Sequence, residues 1–262
     1  MLVLAALALA EDSTFEGARA APRRAGREAH ASAEIGAMLA FGNTESMTLA
    51  GQGALSYRWG SDQVSGNFGV NWGQSRHDAD ADGKLSAAEL AAPYVQTAER
   101  EQASMRYDRF LGKRNSVYAL AGGFSDTFAG YDWRVNGQVG VSHLFASSQA
   151  TTLRAELGLD VAREQFVEGV EPGAQTVLSA RALVGVRHQF NGHVVIEDSL
   201  ELYESLLAIT DVRVNNTAAV TASLDKRVAL KLSHQLAFDN VPVKGYRPLD
   251  HTTLATVVFT VL

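Results

Sequence analysis

The 262-residue chain predicts an all-β fold, a membrane-spanning antiparallel up-and-down β-barrel of about twelve strands over residues 31–262. Three observations predict it. Apolar and polar residues alternate with a period of two, the alternating runs are roughly 10–14 residues long, and the connections between them alternate in length. Such alternation puts successive side chains on opposite faces of a strand. Strands of soluble proteins average about 5–6 residues, whereas a tilted strand crossing a bilayer needs about 9–11. A barrel with both termini in the periplasm explains the loop order through short periplasmic turns and longer outer loops, which a soluble sandwich does not.

Taken in order, residues 1–10, MLVLAALALA, are too short for a helical span, which takes about 20 residues. With Ala8 and Ala10 at small-x-small positions before Glu11, the run reads as the h-region of a secretory signal that lacks its basic n-region. Residues 11–30 mix Ala, Gly, Pro and Arg without periodicity and read as a flexible linker. Twelve runs follow, near 31–42, 46–59, 63–76, 94–111, 116–128, 131–145, 151–166, 176–190, 194–206, 212–224, 228–240 and 251–262. In the seventh, Leu153, Ala155, Leu157, Leu159 and Val161 oppose Arg154, Glu156, Gly158 and Asp160. The sixth sets Trp133, Val135, Val139 and Val141 against Arg134, Asn136, Gln138 and Ser142, and the tenth sets Val212, Val214, Ala218 and Val220 against Arg213, Asn215, Thr217 and Thr221. One acid breaks the pattern: Asp198 shares the apolar face with Ile196 and Leu200, which places it close to the periplasmic interface.

Connections after even runs are tight, GSD at 60, GKRN at 112, ASSQA at 146, NGH at 191 and DKR at 225, while 77–93, 167–175 and 241–250 after odd runs are long. Aromatics collect at both ends: Tyr57, Trp59, Tyr107, Phe110, Phe145 and Phe190 before short turns, and Trp72, Phe128, Tyr131, Trp133 and Phe166 beside odd connections. Two such girdles belong at lipid–water boundaries.

Composition excludes several function classes. The chain has no cysteine, so disulfides, thiolate metal sites and a cysteine nucleophile are out. A net charge of -6 without a basic block gives no footprint for nucleic acid. Ser142 and His143 are adjacent, hence on opposite faces, which prevents a nucleophile–base pair, and no phosphate loop or zinc spacing occurs.

The most specific short motif is DADADGKLSAAE at 78–89. It matches an EF-hand calcium loop, with Asp78, Asp80 and Asp82 at positions 1, 3 and 5, Gly83 at the turn, Lys84 offering its carbonyl at 7, Ser86 at 9 and Glu89 as bidentate ligand at 12. Ca2+ is therefore the expected cofactor of the longest outer loop. Inward faces carry charge of both signs: Arg58, Arg106, Arg154, Arg181, Arg187, Arg213 and Lys231 with Asp108, Glu156, Asp160, Glu197, Glu201 and Asp239. Such groups must line water or pair across the lumen.

The segments AMLAFGNTES (37–46), SMRYDRFLGKRNSVYALAGGFSDTFAGYDWRVNGQVGVSHLF (104–145), TTLRAELGLDVARE (151–164) and DKRVALKLSHQLAFDNVPV (225–243) resemble the YdiY-type, salt-induced outer-membrane protein family of otherwise unknown function. The resemblance spans roughly residues 31–262 and implies a Gram-negative outer-membrane barrel without assigned catalytic residues. The expected function is an integral outer-membrane barrel surrounded by lipid that forms a narrow channel for ions or small solutes. The alternatives are a non-conducting structural or surface-contact envelope protein and, third, an outer-membrane lipid hydrolase. Oligomeric state is left open.

Overall fold

The computed structural model describes residues 27–40, 45–76, 85–148, 150–170, 172–190 and 192–261. Twelve strands, β1 (Arg27–Ala40), β2 (Ser46–Trp59), β3 (Asp62–Ser75), β4 (Val95–Phe110), β5 (Asn115–Asp126), β6 (Tyr131–Ser147), β7 (Thr151–Phe166), β8 (Ala174–Phe190), β9 (Val194–Ser205), β10 (Val212–Ser223), β11 (Val228–Asp239) and β12 (Leu249–Thr260), follow the period-two runs closely. Each pairs antiparallel with its sequence neighbours. β1 closes the ring on β12, with Ser32 opposite Thr260 and Ile35 opposite Val257. Closure leaves no sheet edge, the condition for strands to cross lipid with every backbone group paired.

Large apolar side chains cover the outside. Val139 is 58% exposed, Leu157 63% and Met105 64%, while the alternate positions of the same strands are buried. An apolar exterior around a polar interior is the inverse of a soluble core and belongs in a bilayer. At the turn end below β2, Tyr57 and Trp59 stack at 5.6 Å, and the His143–Phe145 and His188–Phe190 pairs meet edge-on at 4.7 and 4.3 Å. These amphipathic rings mark one boundary of the apolar belt.

Several boundaries differ from the sequence expectation. The first strand begins at Arg27, inside the stretch expected as linker, because Arg27 to His30 pair with Trp59 to Ser56 of β2. The rest of that stretch, and the signal-like run 1–10, lie outside the described residues. β5 stops at Asp126, whose side chain accepts from the Ala129 amide at 3.0 Å and starts a 3-10 turn, Thr127–Ala129. Gly130 ends that turn at φ +88, where a Cβ would also strike Tyr246 and Val243 of the 240–248 connection.

Three expected placements differ. Phe110, expected in a girdle, has the parity of Asp108 and points inward, beneath the Arg58 guanidinium at 4.3 Å. Tyr131, another expected girdle residue, is turned by a bulge between itself and Trp133, and its ring meets inward Phe166 at 5.5 Å. Phe166, also expected in a girdle, has the parity of Glu164 and is buried inside. Asp198 lies fifth along β9, opposite Val186 and one outward position beyond Ile196, which pairs with His188 of the short-turn end.

Candidate functional site: the barrel lumen

Strand parity turns Arg58, Arg106, Asp108, Arg154, Glu156, Asp160, Arg181, Arg187, Glu197, Glu201, Arg213, Lys231 and Asp239 to the inside. They do not form one site. The largest group is centred on Glu156 of β7, a fully buried carboxylate. Arg106 of β4 reaches it across the lumen, donating from Nη2 to Oε1 at 2.6 Å and from Nη1 to Oε2 at 3.1 Å. Arg181 of β8 donates to Oε2 at 2.8 Å, and Arg154 approaches Oε1 at 3.4 Å. Arg106 also forks onto Asp108 at 2.8 and 2.9 Å, while Arg181 reaches Glu201 of β9 at 2.5 Å. Three guanidinium groups thus share three carboxylates, with bonds joining strands that are not neighbours. Buried ion pairs persist only when geometry and extra hydrogen bonds compensate desolvation, which this fork arrangement supplies.

Tyr118 completes the layer. Its ring lies 4.1 Å beneath the Arg106 guanidinium and its hydroxyl accepts from Arg181 at 2.8 Å. The side chain crosses the inner wall over Gly140 and Gly158, and a Cβ at Gly158 would sit 2.6 Å from the Tyr118 hydroxyl oxygen. Gly158→Ala is therefore expected to destabilise the barrel by about 1–3 kcal/mol through overpacking. Urea unfolding in lipid vesicles checks this, and a variant as stable as the parent would refute the packing role.

A second group lies nearer the odd-connection end. Glu164 accepts from Arg213 at 2.6 Å and Gln175 at 2.6 Å and pairs with Arg134 at 2.9 Å. Asp160 accepts from Asn136 at 2.8 Å, Arg213 pairs with Asp239 at 3.2 Å, and Arg100 pairs with Asp126 at 3.2 Å. Elsewhere Arg58 donates to Gln63 at 2.7 Å, Arg187 pairs with Glu197 at 3.0 Å, and Lys231 meets Glu34 of β1 at 3.0 Å. Glu34, Arg100, Tyr118, Asp126, Arg134 and Glu164 were not among the charged lumen residues singled out from sequence. Their strand parity was available as a signal.

Uncharged polar side chains also line the inner face, among them Thr48, Ser65 and Asn71 on β2 and β3 and Thr217, Ser233 and Gln235 on β10 and β11. Among the described residues, Thr48 Oγ1, Ser65 Oγ, both amide atoms of Asn71, Thr217 Oγ1 and Gln235 Oε1 are buried without a hydrogen-bond partner. Beyond the Glu156 layer the lumen widens into a cavity of about 610 Å³, lined by Arg100, Arg134 and Arg213 of the second group, by Tyr131 and Tyr203, and by Tyr246 of the 240–248 connection.

Of the calcium motif, Asp78, Asp80, Asp82 and Lys84 lie outside the described residues. Ser86 caps the short helix α1 (Ala87–Ala91), and Glu89 turns back to accept from the Ser86 amide at 2.8 Å and hydroxyl at 2.7 Å. The feet of the loop are tied together. Arg76 pairs with Glu45 at 2.7 Å, Tyr94 donates to Glu45 at 3.0 Å, and the Arg76 guanidinium lies 4.2 Å over the Tyr94 ring. The Arg76 and Tyr94 hydrogen bonds hold the Glu45 carboxyl below its ordinary value, so this clip is intact at neutral pH and is lost as pH falls through that lowered value. Ser142 faces the lumen, while His143 faces outward and bonds Asn115 at 2.7 Å.

Residues 33–261 match the family described as "Protein of unknown function, DUF481", a span that includes every segment carrying the resemblance noted from sequence. No curated protein matches the chain. Among solved structures it is similar to a NanC porin, at 12% identity and TM-score 0.53 over 88% of this chain and 100% of that one. It is also similar to the translocator domain of the autotransporter NalP from Neisseria meningitidis, at 9% identity and TM-score 0.46 over 95% and 92%. A KdgM porin in complex with disordered oligogalacturonate follows, at 8% identity and TM-score 0.46 over 90% and 100%. At these identities the likeness is one of fold, that of a bacterial outer-membrane barrel.

Proposed function

This chain belongs to the DUF481 family of proteins of unknown function, and we propose that its outer-membrane barrel is a narrow channel for small ions or small polar solutes. The carrying observation is the cavity of about 610 Å³ inside the barrel, where Asn67, Gln102, Asn136 and Asn215 line it beside the paired charges. A polar-lined cavity of that size has room for water or a small polar solute, whereas a plugged lumen would be filled by side chains. The Glu156-centred layer narrows the passage beyond that cavity. Because those charges are mutually paired, ion selectivity is expected to be weak. Purified protein in a planar bilayer should give small, steady conductance steps with a cation-to-anion permeability ratio near one, and no conductance above bare lipid would refute the channel.

A non-conducting envelope protein is the second reading. It is favoured by the complete burial of Arg154, Glu156, Asp160 and Glu164 along β7. The same recording separates the two, since a sealed barrel conducts only after its ion-pair layer is broken.

The connection at 77–94 is proposed to bind Ca2+ through Asp78, Asp80, Asp82, the Lys84 carbonyl, Ser86 and Glu89. Two features support it. The last third of the motif already forms a helix start with Ser86 and Glu89 in hydrogen-bond contact, and the Glu45–Arg76–Tyr94 clip closes the loop ends before any cation arrives, which lowers the ordering cost. Binding must draw Glu89 away from Ser86, so affinity is expected in the weak range of roughly 10⁻⁴ to 10⁻³ M. Calcium should shield residues 77–93 from protease, and Glu89→Gln should abolish the shielding. Identical cleavage in calcium and chelator would show a merely solvated acidic loop.

A further inference from the structure

The 610 Å³ cavity presents polar groups that the protein does not use for itself. Its inner guanidinium groups are committed, Arg100 to Asp126 at 3.2 Å, Arg134 to Glu164 at 2.9 Å, and Arg213 to Glu164 at 2.6 Å and Asp239 at 3.2 Å. Glu201 takes Arg181 at 2.5 Å. Arg247 and Asp250 complete a lining with as many acids as bases. The neutral groups are different. Among the described residues, the inward side chains of Asn67 on β3 and Asn215 on β10 make no hydrogen bond, and the hydroxyls of Tyr131 and Tyr246 make none either. β3 and β10 stand five places apart around the closed ring of strands, so the two amides address the cavity from nearly opposite walls. Three rings gather at the outer mouth, those of Phe128, Tyr131 and Tyr246. The missing Cβ of Gly130 lets the Tyr246 ring lie against the segment that carries the other two, since a Cβ there would sit 2.8 Å from it.

On the reading of the barrel as a path for small polar solutes, we propose that this cavity binds a neutral polyhydroxylated solute, a sugar or a cyclic polyol. A charged ligand would have to break one of the existing ion pairs to find its counter-charge, because a buried charge without a partner is costly. An apolar ligand would leave both amides unpaired. Each carboxamide offers two donors and an acceptor, and each phenol donates and accepts, which matches neighbouring hydroxyl groups that do both in turn. The rings supply flat apolar faces for the C–H face of a sugar while keeping a polar tip free to bond. A volume of about 610 Å³ falls within the roughly 300–1,000 Å³ of small-molecule sites.

Binding is measurable apart from conduction. Protein in a phosphocholine detergent, which carries no sugar headgroup, is titrated with maltose while saturation transfer to the ligand protons is followed by NMR. A saturable signal is expected. Asn67→Leu and Asn215→Leu should each raise the apparent Kd by about tenfold, the loss when ligand hydroxyls lack their partner, with the heat-dependent gel shift of the folded barrel retained. Tyr246→Phe removes one hydroxyl from a connection without touching the barrel wall and should raise it by about threefold. Thr217→Val, on the inner face outside the cavity, should bind as the parent does. Glucuronate, which adds a carboxylate to the glucose ring, should bind no more tightly than glucose. A maltose signal that never saturates, or one that the folded Asn67, Asn215 and Tyr246 variants leave unchanged, overturns the proposal. So does glucuronate binding about tenfold more tightly than glucose, which would make the cavity an anion site. Saturable binding that depends on the two amides, by a barrel that does not conduct in a planar bilayer, upholds the site and refutes the channel alone. Conductance without saturable binding refutes the site alone.

Discussion

Glu156→Ala is expected to destabilise the barrel by about 3–5 kcal/mol, the effect of removing one partner from a buried ion-pair group. Glu156 is the acceptor that Arg106, Arg154 and Arg181 have in common. Without it Arg106 keeps Asp108 and Arg181 keeps Glu201. Among the described residues Arg154 keeps nothing: it is 0% exposed, none of its guanidinium nitrogens has a hydrogen-bond partner there, and its one ion-pair contact there is with Glu156. The variant must hydrate or expel that charge. Either response opens the narrow layer, so single-channel conductance should rise as stability falls. Glu156→Gln retains the shape and part of the hydrogen bonding and should fall between the two. Urea unfolding in phospholipid vesicles, followed by the fluorescence of the three tryptophans, measures the change. A loss under about 1 kcal/mol would mean that the network is hydrated already.

Why the faces were readable and the network was not follows from what period-two alternation encodes. It fixes which side of its own strand each residue occupies, so Arg154, Glu156 and Asp160 could be put on one face from TLRAELGLDVA alone. It contains nothing about which residue of another strand stands at the same height. Arg106 meets Glu156 three strands away, and Arg213 meets Glu164 three strands away. Those encounters depend on register accumulated over intervening hairpins, including, for Arg106 and Glu156, the irregularities at Phe124/Asp126 and Tyr131/Trp133. The same gap explains Asp198. Its outward parity was legible, but its bond to Asn216, which lies on the next strand, was not. Tyr131 failed for a local reason, since a bulge reverses parity and leaves little trace in composition. Phe110 and Phe166 differ for a simpler reason: each has the parity of an inward carboxylate, Asp108 and Glu164, and a ring at a strand end fills the lumen as readily as it faces lipid.

The second large effect separates the two faces of one strand pair. Val139 and Leu157, 58% and 63% exposed on the outside of β6 and β7, lie near mid-strand, and replacing either with Arg should destabilise the barrel by about 2–4 kcal/mol. A guanidinium there has hydrocarbon on all sides, and its stem is too far from either boundary to reach water. Asn136 lies three residues along β6 from Val139, on the opposite face. Its side chain bonds Asp160 at 2.8 Å and lines the 610 Å³ cavity, so Asn136→Arg gains both a carboxylate partner and room. It should change stability by less than about 1 kcal/mol. Measuring the three variants together removes any general effect of added positive charge. Equal losses at positions 136, 139 and 157 would mean that the apolar face does not contact lipid, and the barrel would then require some other environment than a bilayer to explain its exposed valines and leucines.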